Sequence, residues 1–205
     1  MDRSAFILRR FWFLAVLLVF FGTVAVCRPL LPVDETRYMT VAWEMYLRHG
    51  WFHPMTLNFE PYHHKPPLMF WAINLVWAIF GVSRAAALIV PVAASGFCIY
   101  LTAQLGRLLF PDILAVPRRV MMVMVAGVPL ILYGTLMMFD FLLCDFVLLA
   151  LIAMIHFVRD RKWPYVIGFG LAVGMGVLAK GPVAYLYVLP PVLLAPVWKP
   201  NLSRR

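Results

Sequence analysis

Long apolar runs separated by short polar segments dominate the chain. They are Phe11–Leu31, Leu68–Phe80, Ala85–Leu109, Val120–Phe139, Phe141–Val158, Tyr165–Ala179 and Val183–Trp198. A helix needs about 20 mostly apolar residues to cross a hydrocarbon core of about 30 Å, and most of these runs approach that length. The pattern therefore predicts an all-α membrane protein, a polytopic bundle of transmembrane helices.

The second run differs from the others. Leu68–Phe80 is the shortest, follows the helix-starting pair Pro66-Pro67, and contains a polar Asn74 among several aromatic residues. Aromatic side chains are enriched where a membrane meets water. We therefore predict that this helix lies along the outer interface and does not cross the bilayer.

The positions of Lys and Arg predict how the chain is threaded. Four basic clusters occur: Arg3/Arg9/Arg10, Arg107/Arg118/Arg119, Arg159/Arg161/Lys162 and Lys199/Arg204/Arg205. Lys and Arg concentrate in cytoplasmic loops, and all four clusters fall on that side if the second run does not cross. We thus expect one transmembrane domain, 1–205, with about six spans and both termini cytoplasmic. Residues 33–84, Asp140 and Lys180 then lie together on the outer side.

The outer segment 33–84 begins with an amphipathic pattern. Apolar residues recur at helical spacing after Asp34, namely Tyr38, Val41, Ala42 and Met45. Polar residues occupy the other face, namely Arg37, Thr40, Glu44 and Arg48. We predict a helix on the membrane surface, with Glu44 and Arg48 as an i, i+4 ion pair, that ends at His49-Gly50.

Composition agrees with the membrane assignment. Hydrophobic residues make up 64% of the chain, charged residues 13%, and the mean hydropathy is +0.88. The net charge of +9 is accounted for by the loop clusters, so we expect no nucleic-acid partner. Cys27, Cys98 and Cys144 all fall within apolar runs, where they are interpreted as small core residues.

Asp34 and Glu35 directly follow the first run, where a carboxylate faces the headgroup level. Desolvation beside lipid raises the pKa of a carboxyl group and makes it a usable general base. The alternative is that Asp34 only caps the helix that follows. The residues alone leave both interpretations open.

Lys65 lies between His63-His64 and Pro66-Pro67, which give it a defined direction. A lysine ahead of a helical turn adds its charge to free backbone N–H groups, and together these can bind a phosphate. The alternative is a lysine that reaches up to the lipid headgroups. The paired histidines are interpreted as exposed loop residues, since no other ligand lies at metal-binding spacing.

Three further charged residues lie at or within apolar runs. Asp140 separates two runs, and its structural alternative is a cap for the next span. Asp145 lies inside a span, where a carboxylate usually faces a bundle interior or a cavity. Lys180 precedes Gly181-Pro182 at an outer helix end, so its ammonium group either binds a lipid phosphate or anchors the span.

Taken in order, these motifs resemble the GT-C glycosyltransferases of bacteria. The motifs are Val33-Asp34-Glu35-Thr36-Arg37-Tyr38, Trp43-Glu44-Met45, His64-Lys65-Pro66-Pro67-Leu68, the single Asp140, and Leu178-Ala179-Lys180-Gly181-Pro182. The chain is most similar to the aminoarabinose transferases that modify lipid A, with protein O-mannosyltransferases as more distant relatives. The resemblance covers nearly the whole chain.

The resemblance implies transfer of a sugar from a polyprenyl phosphate donor to a lipid, glycan or protein acceptor, at the periplasmic face of the bacterial inner membrane. It implies that Asp34 and Asp140 are catalytic. It also implies a substrate-binding set made of Glu35, Tyr38, His64, Lys65 and Lys180, in which Lys65 contacts the donor phosphate. Membrane lipids are the expected surroundings.

The chain departs from this family pattern in two respects. His64 stands where the lipid A transferases commonly have Glu, so the contact of that carboxylate does not carry over. The family also continues through more spans, so we expect 1–205 to correspond to an N-terminal part. No nucleotide cofactor is expected, and the question of whether a divalent metal is required stays open. The competing class is a non-catalytic membrane subunit or a piece of a transporter, although transporters keep their charges near mid-bilayer and show repeats.

Overall fold

The computed structural model describes residues 28–48 and 55–198, together with isolated positions between 12 and 27. Its elements are α1 (Asp34–Leu47), β1 (Thr56–Leu57), β2 (Glu60–Pro61), α2 (Leu68–Phe80), α3 (Arg84–Leu109), α4 (Val116–Ala126), α5 (Val128–Tyr133), α6 (Phe139–Asp160), α7 (Trp163–Lys180), α8 (Val183–Leu193) and α9 (Ala195–Trp198). Most of the first apolar run, the predicted helix end at His49-Gly50 and the two terminal basic clusters lie outside the described residues. The all-α prediction is confirmed.

Three described helices are long and apolar enough to cross a membrane: α3, α6 and α7, with 26, 22 and 18 residues. The helix α2 has the predicted bounds, and its 13 residues extend only about 20 Å. That length is short of the hydrocarbon thickness of about 30 Å, which agrees with a helix that does not cross. The chain is therefore a polytopic membrane protein.

The fourth and last apolar runs, which the sequence shows as uninterrupted, are each divided between two helices. The fourth run divides into α4 and α5 because Gly127 adopts an extended conformation and Pro129 follows at the start of α5. The last run divides at Leu194, which ends α8 shortly after two prolines. Its longest helix has only 11 residues.

The predicted apolar face of α1 is buried against α2, in a core that includes Tyr38, Val41, Phe70 and Ile73 and to which α3 also contributes. One part of the prediction is wrong: Glu44 belongs to this buried side and is only 4% exposed. Its carboxylate accepts hydrogen bonds from the Thr56 hydroxyl and, at 3.1 Å, from the Phe59 backbone N–H. Glu44 thus fastens the β-hairpin to α1, and the Arg48 guanidinium lies over the Phe59 ring instead.

Asn74 explains how α2 is held to α1. Its side-chain amide donates to the carbonyl oxygens of Ala42 at 3.2 Å and of Phe70 at 2.8 Å. A buried amide needs such partners, since an unpaired polar group costs about 1–3 kcal/mol. Two of the four aromatic residues of α2, Phe70 and Trp77, are buried in the protein, whereas Phe80 is exposed.

Small residues allow neighbouring helices to approach one another. A Cβ atom built on Gly176 of α7 would lie 3.2 Å from the Cβ of Ala184 on α8, tighter than an ordinary contact. Between α3 and α6, the sulfur atoms of Cys98 and Cys144 lie 3.5 Å apart as free thiols. Close approach through small residues is typical of helices packed within a membrane.

Candidate functional site

Two neighbouring acids at the start of α1 have different surroundings. Glu35 is 1% exposed and accepts from both terminal nitrogens of Arg28, at 2.6 and 2.9 Å. The backbone N–H groups of Leu31 and Met137 donate to the same carboxylate at 2.7 and 2.9 Å. Burial raises the pKa of Glu35, but these hydrogen bonds and the charge of Arg28 outweigh it and hold the pKa below its ordinary value.

Arg28 is a structural residue that the sequence reasoning missed. Besides binding Glu35, its Nη2 donates to the Thr135 carbonyl at 3.3 Å, and its own carbonyl accepts from Arg84. The Arg28–Glu35 pair therefore joins the start of α1 to the segment before α6. An arginine within the apolar run Phe11–Leu31 was the available signal, because a charge at such a position usually has a buried partner.

Asp34 is more open. Its side chain is 48% exposed, and its Oδ1 accepts from the Tyr38 hydroxyl at 3.5 Å and lies 3.8 Å from Arg37. The residue before α1 is Val33, which makes no side-chain cap, so Asp34 is the first helical residue and not the N-cap of the structural alternative. At that position its carboxylate lies near the positive end of the helix dipole.

Four aromatic rings connect the segments that carry the candidate residues. The Phe139 ring contacts those of Tyr38 and Phe70, with centroids 4.9 and 5.6 Å away, and Tyr62 packs on Phe70 at 6.2 Å. Burial, reinforced by the Asp34 carboxylate, raises the pKa of Tyr38 to about 12, so its hydroxyl stays a donor. Burial also raises the pKa of Tyr62, whose hydroxyl lacks a hydrogen-bond partner within the described part of the chain. We call Tyr38, Tyr62, Phe70 and Phe139 the aromatic cluster.

Lys65 and His64 lie against this aromatic cluster. The Lys65 ammonium is 5.7 Å from the centroid of the Phe139 ring, and the His64 ring lies 5.4 Å from that of Tyr62. Lys65 also precedes α2, whose first backbone N–H groups have no partners inside the helix. This cation–π contact with the Phe139 ring holds the Lys65 ammonium in a defined position.

Asp140 and Lys180 form an ion pair, with Nζ and Oδ1 2.5 Å apart. Both remain accessible, since their side chains are 64% and 27% exposed. Asp140 lies in the first turn of α6, and Met138 precedes the helix without a side-chain cap, so the capping alternative does not hold here either. Asp140 directly follows Phe139 of the aromatic cluster, and Lys180 ends α7 where Gly181 turns the chain with a φ of 82°.

The structure thus brings Asp34, His64, Lys65 and the Asp140–Lys180 pair around the aromatic cluster, of which Tyr38 is a member. Glu35 lies behind them in the protein interior. Asp145 lies apart, buried within α6, and one of its oxygens lacks a hydrogen-bond partner among the described residues. In that same part of the chain, no group of three or more His, Cys, Asp or Glu side chains is placed to hold a metal ion.

Such an arrangement has definite chemical capacities. Two lysines from separate segments supply positive charge for a phosphate, and two accessible carboxylates supply groups that can accept a proton. The fold and these groups define a polytopic helical membrane protein with accessible cations and carboxylates beside its membrane-crossing helices.

Comparison with known proteins gives the family. Residues 64–205 match the family described as dolichyl-phosphate-mannose-protein mannosyltransferase. The chain belongs to this family, in agreement with the GT-C resemblance of its motifs.

Individual relatives are more specific. The undecaprenyl phosphate-α-4-amino-4-deoxy-L-arabinose arabinosyl transferase of Pseudomonas aeruginosa (strain LESB58) is 34% identical over 79% of this chain and 29% of its own length. A second such transferase, from Pseudomonas fluorescens (strain Pf-5), is 28% identical over 94% of this chain and 36% of its own.

The fold also matches a solved structure, ArnT from Cupriavidus metallidurans bound to undecaprenyl phosphate. The TM-score is 0.76, with 19% identity over 97% of this chain and 38% of the other. The chain therefore spans about a third of the length of the relatives it matches.

Proposed function

We propose that this protein transfers a sugar from a polyprenyl phosphate donor to a lipid, glycan or protein acceptor. The observation that carries this proposal is the convergence of Asp34, Lys65 and the Asp140–Lys180 pair on one aromatic cluster beside the membrane-crossing helices. The names of the transferase relatives and the lipid bound to ArnT support it. Lipid A is the acceptor class that the sequence resemblance favours.

Lys65 and Lys180 bind the donor phosphate in this proposal. Sugar transfer leaves a polyprenyl phosphate, and cations fixed where that charge develops lower the barrier. Lys65 is oriented by the Phe139 ring, so its ammonium needs little reorganisation. Before the donor binds, Lys180 is paired with Asp140. When the phosphate arrives, Lys180 exchanges part of that contact for it, and Asp140 is then free to interact with the substrate.

Asp34 is the proposed general base. A hydroxyl acceptor must lose a proton as it attacks the anomeric carbon, and the half-exposed Asp34 carboxylate is open to accept it. The Tyr38 hydroxyl donates to Asp34 and orients it, while Asp140 is the second acid of the site. His64 lies at the edge of the aromatic cluster as an acceptor contact.

Glu35 has a positioning role in this scheme and does not itself contact substrate. Its bonds to Arg28 and to the Met137 N–H hold the start of α1 against the segment before α6. That connection sets Asp34 relative to Asp140. We further propose that the site faces the periplasm from the bacterial inner membrane, with both termini cytoplasmic, because the basic loops lie at the other ends of the spans.

Donor binding tests the role of the lysines. The purified chain in detergent should bind undecaprenyl phosphate more tightly than undecaprenol, which lacks the phosphate. Replacing Lys65 or Lys180 with Met should each weaken phosphate-dependent binding about tenfold, as loss of one charge-assisted contact does.

Lys162→Met is the matched control, since Lys162 is an exposed lysine beside α7 at the end remote from Lys180. It should leave the dissociation constant unchanged. Equal binding of the phosphate and the alcohol, or equal loss in the control, would exclude the donor site proposed here.

A further inference from the structure

A groove lies between α3 and α6 at the end of α6 remote from Asp140. It encloses about 600 Å³ and is lined by residues that include Arg107, Arg159, His156, Gln104, Leu149 and Ile152. From Asp140 to Arg159 the helix rises about 28 Å, close to the thickness of a bilayer core. The groove and the candidate site are therefore at opposite faces of the membrane.

The charged end of the groove is positive. Arg107 and Arg159 come from the last turns of two different helices, and neither Asp nor Glu occurs among the described residues that line the groove. Arg159 donates through Nη2 to the Leu108 carbonyl at 2.5 Å, which fixes the guanidinium and leaves its other N–H groups available. Guanidinium groups bind phosphate oxygens through paired N–H donors, so a groove end that has two arginines and no lining carboxylate suits a phosphate.

His156 forms one side of this end. Its ring stacks on Tyr165 of α7, with centroids 5.0 Å apart, and its Nδ1 is 4.0 Å from Asp160. These contacts orient the imidazole. Gln104 adds a neutral hydrogen-bonding group from α3.

The rest of the groove is apolar. Leu101, Leu149 and Ile152 line it toward the middle of the spans, whereas the arginines lie at the helix ends. A soluble anion would use only the charged end. An amphiphile with a phosphate headgroup and hydrocarbon chains would use both parts, and basic pockets between helices on the cytoplasmic side are a known mode of lipid binding.

We propose that this groove binds one anionic diacyl phospholipid, with its phosphate on Arg107 and Arg159 and an acyl chain along Leu149 and Ile152. The site is separate from the proposed transferase site and does not depend on the reaction. The lipid would cover an arginine pair that otherwise keeps two like charges together at the membrane surface.

Native mass spectrometry of the purified chain with defined lipids tests the proposal. Phosphatidylglycerol should be retained about tenfold more than phosphatidylcholine, whose headgroup carries a compensating cation. The Arg107→Gln/Arg159→Gln variant should lose this preference. Arg107→Gln alone, which keeps the Arg159–Leu108 bond and the local structure, should lose about half of the bound lipid.

The matched control is Arg118→Gln/Arg119→Gln, which removes the same charge from exposed positions of α4 that do not line the groove. It should retain phosphatidylglycerol as the parent does. Equal loss in this control, or no preference between the two lipids, would overturn the proposal. Displacement of the lipid by millimolar inorganic phosphate would overturn it as well and would assign the arginines to a soluble anion.

Discussion

The two ends of α6 carry charge in different ways. At the N-terminal end of α6, Asp140 is bound to Lys180, and Lys65 lies over the neighbouring Phe139 ring. At the C-terminal end of α6, Arg159 and the neighbouring Arg107 of α3 line a groove to which no described carboxylate contributes. A lysine that is paired with a carboxylate can exchange that carboxylate for an incoming anion. Two arginines in a groove without a lining carboxylate favour an anion that stays bound. The surroundings of the basic residues therefore distinguish a candidate reaction site from a candidate site for a resident lipid.

The largest expected effect concerns the sidedness of these two ends. Single cysteines at Asp140 and at Arg118, in a background in which Cys27, Cys98 and Cys144 are replaced, should label differently. A membrane-impermeant maleimide added to cells with a permeable outer membrane should modify the Asp140 site and leave the Arg118 site unmodified, because basic loops stay cytoplasmic. Reaction at Arg118 from outside would show that the two ends are threaded the other way.

The next effect distinguishes the two acids at the start of α1. Glu35→Ala leaves Arg28 without its partner, and breaking a largely buried pair costs about 3 kcal/mol of unfolding free energy. Asp34→Ala should cost less than about 1 kcal/mol, since that carboxylate is half exposed and contributes mainly through the helix dipole. Thermal unfolding in detergent measures both, and similar losses would contradict the separation of a positioning acid from a chemical one.

A smaller effect depends on pH. The folded-state pKa of Glu35 lies below its ordinary value of 4.5, so its ionised form contributes stability above that value. This contribution is lost as the pH falls from 4.5 through the lower folded-state pKa. The stability of the parent relative to Glu35→Gln should therefore be at its full value well above pH 4.5 and shrink as the pH falls below it. A difference that stays constant over this range would exclude an ionised Glu35 as the source.

Much of the candidate site could be proposed from the sequence because its residues interrupt the apolar pattern. Lys65 before Pro66-Pro67 and Asp140 between two runs stand out in a chain that is 64% hydrophobic. The helix α2 has its predicted bounds because prolines precede it and Gly81 ends it with a φ of 81°. Lys65 and Asp140 are brought together, however, by aromatic rings such as Phe139. In the sequence, these rings cannot be told apart from other apolar residues.

Other features could not be read from local pattern. Glu44 occupies a polar position on the predicted helix, yet the β-hairpin folds over it and supplies two donors. That hairpin turns at Asn58 and Phe59, which both have a positive φ. Neither is a glycine, so the usual sequence signal for such a turn is absent. The partner of Glu35 is likewise contributed in part by the Met137 N–H, about 100 residues away along the chain. Long-range contacts of this kind decide whether an acid is structural or accessible.

The most direct test of the central claim is sugar transfer by an Asp34→Asn variant. We would measure transfer from an undecaprenyl-linked sugar in a chimera in which this chain replaces the matching segment of the Pseudomonas aeruginosa (strain LESB58) relative, with Asp112→Asn as the control for the same change at an exposed loop acid. The asparagine keeps the size of the side chain but not its basicity, so transfer should fall at least about 100-fold while thermal stability and donor binding are kept. Near-parental transfer by Asp34→Asn, with the control also active, would contradict the assignment of Asp34 as the base.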